Sequence, residues 1–121
     1  MNSNSYKDLV VWQKSMDLVV KIYQLTEAFP KAEIFGMVAQ MRRSAVSIPS
    51  NIAEGSKRGT KKDFRHFLLI AYGSGAELET QIEISKRLNL SKLSDFVGID
   101  DLLSEVMRML NVFVVKLKTT S

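Results

Sequence analysis

Apolar residues recur every three or four positions along most of the chain, the spacing of a helix face rather than the alternation of a strand. From about Asp8 to Thr26 they fall on two stripes. Trp12, Met16, Val19 and Tyr23 form one, and Val11, Leu18, Ile22, Leu25 and then Phe29 form the other. One wide apolar face needs one group of neighbours; two stripes predict a second apolar contact, such as another subunit. Pro30 closes this element, because the residue before a proline disfavours helical dihedrals. A second helix is expected from about Glu33 to Gly55, with Ile34, Val38, Met41, Ala45, Ile48 and Ile52 inward at heptad spacing. A third opens on Thr60 as N-cap, with Asp63 in the capping-box position. It runs to about Leu88 with Phe64, Leu68, Ala71, Gly75, Leu78, Ile82 and Ser85 inward. A fourth spans about Asp95 to Lys118, with Ile99, Leu103, Val106, Leu110, Phe113 and Leu117 in the same register.

No alternating run and no Asn-Gly turn reads as a strand. Four helices with short connections predict an all-α, antiparallel up-down-up-down four-helix bundle. It is expected to occupy residues 8–118 as one domain, after a flexible lead-in at 1–7 and before a short tail at 119–121. Pro49 has no N–H for the carbonyl of Ala45, so the second helix is expected to be proline-kinked, with Ser47, Ser50 and Asn51 beside the bend to bond freed backbone groups. Gly55 fits a left-handed helix cap, and Gly59 frees the loop that follows. Gly73 and Gly75 lie inside the third helix, where each costs about 1 kcal/mol relative to alanine. That cost predicts close approach of the second helix to this stretch.

Charge adds the one asymmetry that the apolar pattern lacks. Between Arg42 and Arg65 stand Arg42, Arg43, Lys57, Arg58, Lys61, Lys62 and Arg65 against only Glu54 and Asp63, a local +5 in a chain whose total is +4. A basic loop of this kind is a candidate polyanion site, while the sequence pI of about 9.4 permits a nucleic-acid partner without requiring one. The composition, 45% apolar and 25% charged, is that of a globular chain rather than a disordered one. The absence of cysteine excludes disulfide and thiolate chemistry. A polar start without an apolar stretch, and no apolar run near the ~20 residues that span a bilayer, lead us to expect a cytoplasmic protein with no membrane contact.

The block around Pro49 carries a family resemblance. Phe29-Pro30, Glu33, Gln40-Met41-Arg42-Arg43-Ser44, Ser47-Ile48 and Asn51-Ile52-Ala53-Glu54-Gly55 resemble the four helix bundle protein family, as do Ala71-Tyr72-Gly73-Ser74 and Glu77-Leu78-Glu79. That family is also called the 23S rRNA intervening-sequence protein or S23 ribosomal protein family, and the similarity covers about residues 6 to 118. The resemblance implies a structural role for Ser44, Ser47, Pro49, Asn51, Glu54, Gly55, Gly73, Ser74 and Glu77. It also implies assembly into rings of five, and, through related bundles that assist the reverse transcriptases of diversity-generating retroelements, contact with nucleic acid and a polymerase. Of the seven basic residues only Arg42 and Arg43 lie within the motif; Lys57, Arg58, Lys61, Lys62 and Arg65 extend the inference.

Catalytic constellations are missing. A di-iron bundle needs two Glu-x-x-His pairs, whereas this chain has one histidine, His66, three after Asp63, so no metal or other cofactor is expected. Gly55-Ser56-Lys57-Arg58-Gly59-Thr60-Lys61 superficially resembles a Walker loop, but it has three residues between glycines, the wrong Lys-Thr order, and a helix before it. No triad can be assembled around a lone histidine. Glu54 and Glu83 stand four before Arg58 and Arg87, favourable helix pairs; alternatively Glu77 or Glu54 pairs with Arg43 or Asn51 across the second and third helices. The aromatics sit at core spacing, so contact with phosphates rather than bases is expected. The sequence therefore indicates a non-enzymatic, self-associating bundle that meets RNA or DNA backbone through a basic surface. An interaction scaffold for an acidic protein such as a polymerase is the alternative.

Overall fold

Helical spacing becomes helix in four long segments of the computed structural model, which describes residues 5–118. They are α1 (Val10–Glu27), α2 (Ala39–Lys57), α3 (Lys61–Arg87) and α4 (Val97–Lys116). The expected flexible ends at 1–4 and 119–121 lie outside the described residues. Side-chain contacts fix the direction of each helix. Arg42 at the start of α2 reaches Thr26 at the end of α1, and Ser85 near the end of α3 donates to Met41 Sδ near the start of α2. Arg65 at the start of α3 meets the carbonyl of Val114 near the end of α4. Leu25 and Ala28 line a cleft together with Asp95 and Ile99, so α4 starts where α1 ends. Neighbours therefore run antiparallel, and α4 returns to α1.

The inward heptad positions pack as the spacing requires. Leu18, Ile22, Met41, Ala45, Ile48, Ile52, Leu68, Ala71, Leu78, Val106 and Leu110 have no solvent exposure. Phe96, which the periodicity does not single out, is also fully buried; a 3₁₀ turn, Leu93–Phe96, delivers it to the core just before α4. Thr60 caps α3 by accepting the Asp63 N–H at 3.1 Å.

Three expectations need correction. The second helix does not start cleanly at Glu33: a 3₁₀ turn (Lys31–Glu33) leads into a π turn (Ile34–Val38), where Gly36 has non-helical dihedrals of φ −104° and ψ −108°. The break rotates Ile34 out of the heptad register, and this side chain is exposed. Pro49 lies inside α2, and beside it Asn51 Nδ2 donates to the carbonyl of Ser47 at 2.8 Å. Gly55 is no left-handed cap, since α2 continues to Lys57 and the positive glycine φ belongs to Gly59, at 90°.

Gly55 is where α2 touches α3. A Cβ there would lie 2.7 Å from Phe67 Cβ and 3.2 Å from the carbonyl oxygen of Phe64. The two glycines of α3 do not serve this contact: Gly75 makes room for Met107 Sδ of α4, and Gly73 faces open space. Ahead of α1 stands a 3₁₀ turn, Tyr6–Asp8, capped by Ser5. Tyr6 there packs edge-on against Trp12 at 5.4 Å, which gives the segment an apolar anchor.

These contacts give opposite signs for two like substitutions. Gly55→Ala is expected to destabilise the fold by about 1–3 kcal/mol through overpacking against α3. Gly73→Ala is expected to stabilise it by about 0.5–1 kcal/mol, the helix propensity gained where nothing is displaced. Urea unfolding of the two variants checks both.

Candidate nucleic-acid interface

The basic loop owes its form to its two ends. Gly55 lets α2 run tight against α3, so the connection shrinks to Arg58-Gly59-Thr60, and only the left-handed Gly59 lets the chain reverse in that length. Lys57, Arg58, Lys61 and Lys62 are thereby held together and exposed at one end of the bundle. Arg58 pairs with Glu54 at 2.8 Å and lies over the Phe67 ring at 4.9 Å. Lys57, Lys61 and Lys62 make no ion pair with any described residue. Arg65 is half-buried and donates from Nε to the Val114 carbonyl at 3.1 Å, satisfying a carbonyl in the last turn of α4.

The two arginines of the motif are elsewhere. Arg43 is exposed fourteen residues before Lys57, about 21 Å of helix at ~1.5 Å per residue. Arg42 is turned inward to α1: its Nε donates to Thr26 Oγ1 at 3.0 Å, Nη2 to the Tyr23 carbonyl at 3.3 Å, and the guanidinium stacks 4.3 Å from the Tyr23 ring centroid. It latches α1 to α2. The expected +5 stretch is thus two separate places, and the loop alone forms a patch.

Antiparallel closure adds to that patch what the sequence reading leaves out. Lys7 precedes α1 and Lys116 and Lys118 end α4, and the topology brings all three to the end that carries the loop. That end holds Lys7, Lys57, Arg58, Lys61, Lys62, Arg65, Lys116 and Lys118 against Asp8, Glu54 and Asp63. The sign of charge at both termini was visible in the sequence; their meeting with the loop needed the topology.

Of the remaining motif residues, Ser47 and Ser74 join two helices. Ser47 Oγ and Ser74 Oγ are 2.8 Å apart across α2 and α3, and Asn51 Nδ2 also donates to Ser47 Oγ at 2.9 Å. Ser44 and Pro49 are buried beside them. The carboxylate pairing expected across these helices does not form: Glu54 turns to Arg58, Glu77 is exposed, and Asn51 is occupied by Ser47. Serine hydroxyls join α2 to α3 here, with Asn51 bracing Ser47 from within α2. Glu83 pairs with Arg87 at 3.1 Å, as the spacing indicates. His66 is exposed with its ring edge-on to Phe67. No group of three or more potential metal ligands occurs among the described residues, and no helix among them is long and apolar enough to cross a membrane.

A family profile described as 23S rRNA-intervening sequence protein matches residues 7–112. The chain belongs to that family. A crystal structure of a protein of unknown function from the S23 ribosomal protein family of Bacteroides thetaiotaomicron superposes with a TM-score of 0.77 at 27% identity. The match covers 91% of this chain and all of that one. No curated protein matches the chain. Within this 23S rRNA-intervening sequence family member, the block that carries the resemblance, from Arg42 to Gly55, is the packing face and latch of α2. The basic end lies beyond it.

The two motif arginines can be told apart by stability. Arg42→Ala is expected to lower the unfolding free energy by about 1–2 kcal/mol, since it removes hydrogen bonds to a charged group at a half-buried site. Arg43→Ala is expected to stay within about 0.5 kcal/mol of the parent, both read by urea denaturation.

Proposed function

We propose that this protein is a non-enzymatic, self-associating bundle that holds the sugar-phosphate backbone of RNA against its basic end. The observation that carries the reading is that end itself: among the described residues, eight cationic side chains against three carboxylates, with Lys57, Lys61 and Lys62 exposed and in no ion pair. Mobile lysines of this kind bind phosphates as point charges, which gives affinity without sequence. The aromatic rings favour the same conclusion. Phe64 pairs with Phe113 at 5.3 Å and Tyr6 with Trp12, so both pairs serve packing rather than base stacking. RNA rather than DNA rests on the family description alone.

Self-association has its own support. Trp12, Met16 and Val19 of α1 form an apolar groove with Val46, Pro49 and Ala53 of α2. Leu69 and Ile70 of α3 and Val112 and Val115 of α4 are also exposed. These are the surfaces through which copies would meet side by side, in rings of five if the family resemblance extends to assembly. Each added copy repeats the basic end, and repetition converts weak phosphate contact into avid binding.

A filter-binding titration against a single-stranded RNA homopolymer tests the reading. If each bundle neutralises about five phosphates, affinity falls on the order of a hundredfold between 50 and 200 mM salt. Replacing Lys57, Lys61 and Lys62 by alanine lowers the slope of log affinity against log salt by about 2. A flat salt response of the parent protein contradicts the proposal.

A further inference from the structure

The end of the bundle opposite the basic loop is of a different kind. The π turn and the non-helical Gly36 present Phe35 to solvent, where it is 96% exposed, the most exposed large apolar side chain among the described residues. This is not loose chain. Glu33 Oε1 accepts the Met37 N–H at 3.4 Å, bridging the turn, and regular α-helix resumes at Ala39. An apolar side chain held outward by a distorted backbone is a feature that the fold of a single copy does not need. Antiparallel closure brings Ile34, Leu88, Leu93 and Val97 to the same end, all of them exposed.

Charge decides what can cover this surface. Lys86 pairs with Asp100 at 2.6 Å and Arg87 with Glu83. Of the remaining charges here, Lys31, Arg42, Arg43 and Lys92 are set against Glu27, Glu33, Asp95 and Asp101. The end is therefore apolar and close to neutral, in a protein whose other end is strongly basic. A polyanion or an acidic protein finds no net positive charge here, and an anionic lipid surface would find no excess of cations. Two basic ends repel each other, whereas two neutral apolar ends can meet about a two-fold axis, the commonest symmetry of protein association.

We infer that two copies of this chain dock end to end through the surface of Phe35, Ile34, Leu88, Leu93 and Val97, leaving a basic end at each pole. The contact goes beyond the side-by-side association proposed above and uses none of its residues. Exposed Phe35 side chains sit nearest the axis, and Gly36 positions them.

Sedimentation and crosslinking test this together. Phe35→Glu, at a site that no other described residue covers, is expected to keep the helical circular dichroism of the parent and to halve the mass of its particle. Met16→Glu, in the α1 groove, is expected to reduce any side-by-side assembly to end-to-end pairs. In this cysteine-free chain, Phe35→Cys is expected to oxidise to disulfide-linked pairs at least tenfold faster than Lys62→Cys at the basic end. A Phe35→Glu particle that sediments as the parent does, or equal crosslinking at the two ends, overturns the inference. If Met16→Glu leaves the mass unchanged while Phe35→Glu halves it, side-by-side association fails and the end-to-end contact stands.

Discussion

The close seam between α2 and α3 is the constraint on which the rest of the structure depends. At Gly55 the backbone of α2 comes so near Phe64 and Phe67 that a single added carbon would collide with them. Further along, Ser47 and Ser74 meet through their hydroxyls, and Met41 receives the hydroxyl of Ser85. Small side chains at these positions set the distance between the helices, and the hydroxyl pairs set their register. A seam this tight allows only a three-residue connection, and a three-residue connection between antiparallel helices concentrates the charges that flank it.

From that constraint the two ends of the molecule acquire different characters. The short α2–α3 loop fixes one end, and the N-terminus of α1 and C-terminus of α4 arrive there because neighbours run antiparallel. The cations of all three segments then share one surface. At the other end the chain enters α2 through a π turn and α4 through a 3₁₀ turn, and apolar side chains point outward between balanced charges. Between the ends, Arg42 ties α1 to α2 and Arg65 ties α3 to α4, so two of the arginines that look like ligand contacts act as internal fasteners. Under the proposed function, polyanion contact falls to lysines that pair with no described residue, and whose long flexible stems suit a ligand read by charge.

Periodicity carried most of the fold. Val38 through Ile52, Leu68 through Ile82 and Ile99 through Leu110 pack inward because burial of a helix face depends on spacing alone, which the sequence displays directly. What it could not display were choices made by distant partners. Gly55 comes soon after Ile52, the last inward position of its stripe, and precedes polar residues, the pattern of a helix cap, and only the position of Phe67 reveals a contact glycine. Arg42 and Arg65 find acceptors 16 and 49 residues away, so their charge was legible and their occupation was not. The break at Gly36 escaped because Ile34 continues the heptad on paper, whereas in the structure Phe29 and Val38 are buried and Ile34 between them is exposed. The candidate site was half legible: the loop lysines were read from a dense run, while Lys7, Lys116 and Lys118 joined them only through topology.

That joining is the central claim, and it can be measured directly. Lys116→Ala/Lys118→Ala changes two exposed residues more than fifty positions from the loop, so it should leave the fold intact. If the end acts as one surface, RNA affinity at low salt falls and the salt slope drops by about 1.4, as it would for two loop lysines. Affinity and slope indistinguishable from the parent, with the loop lysines still required, would show that closure of the bundle gathers these charges without giving them a common ligand.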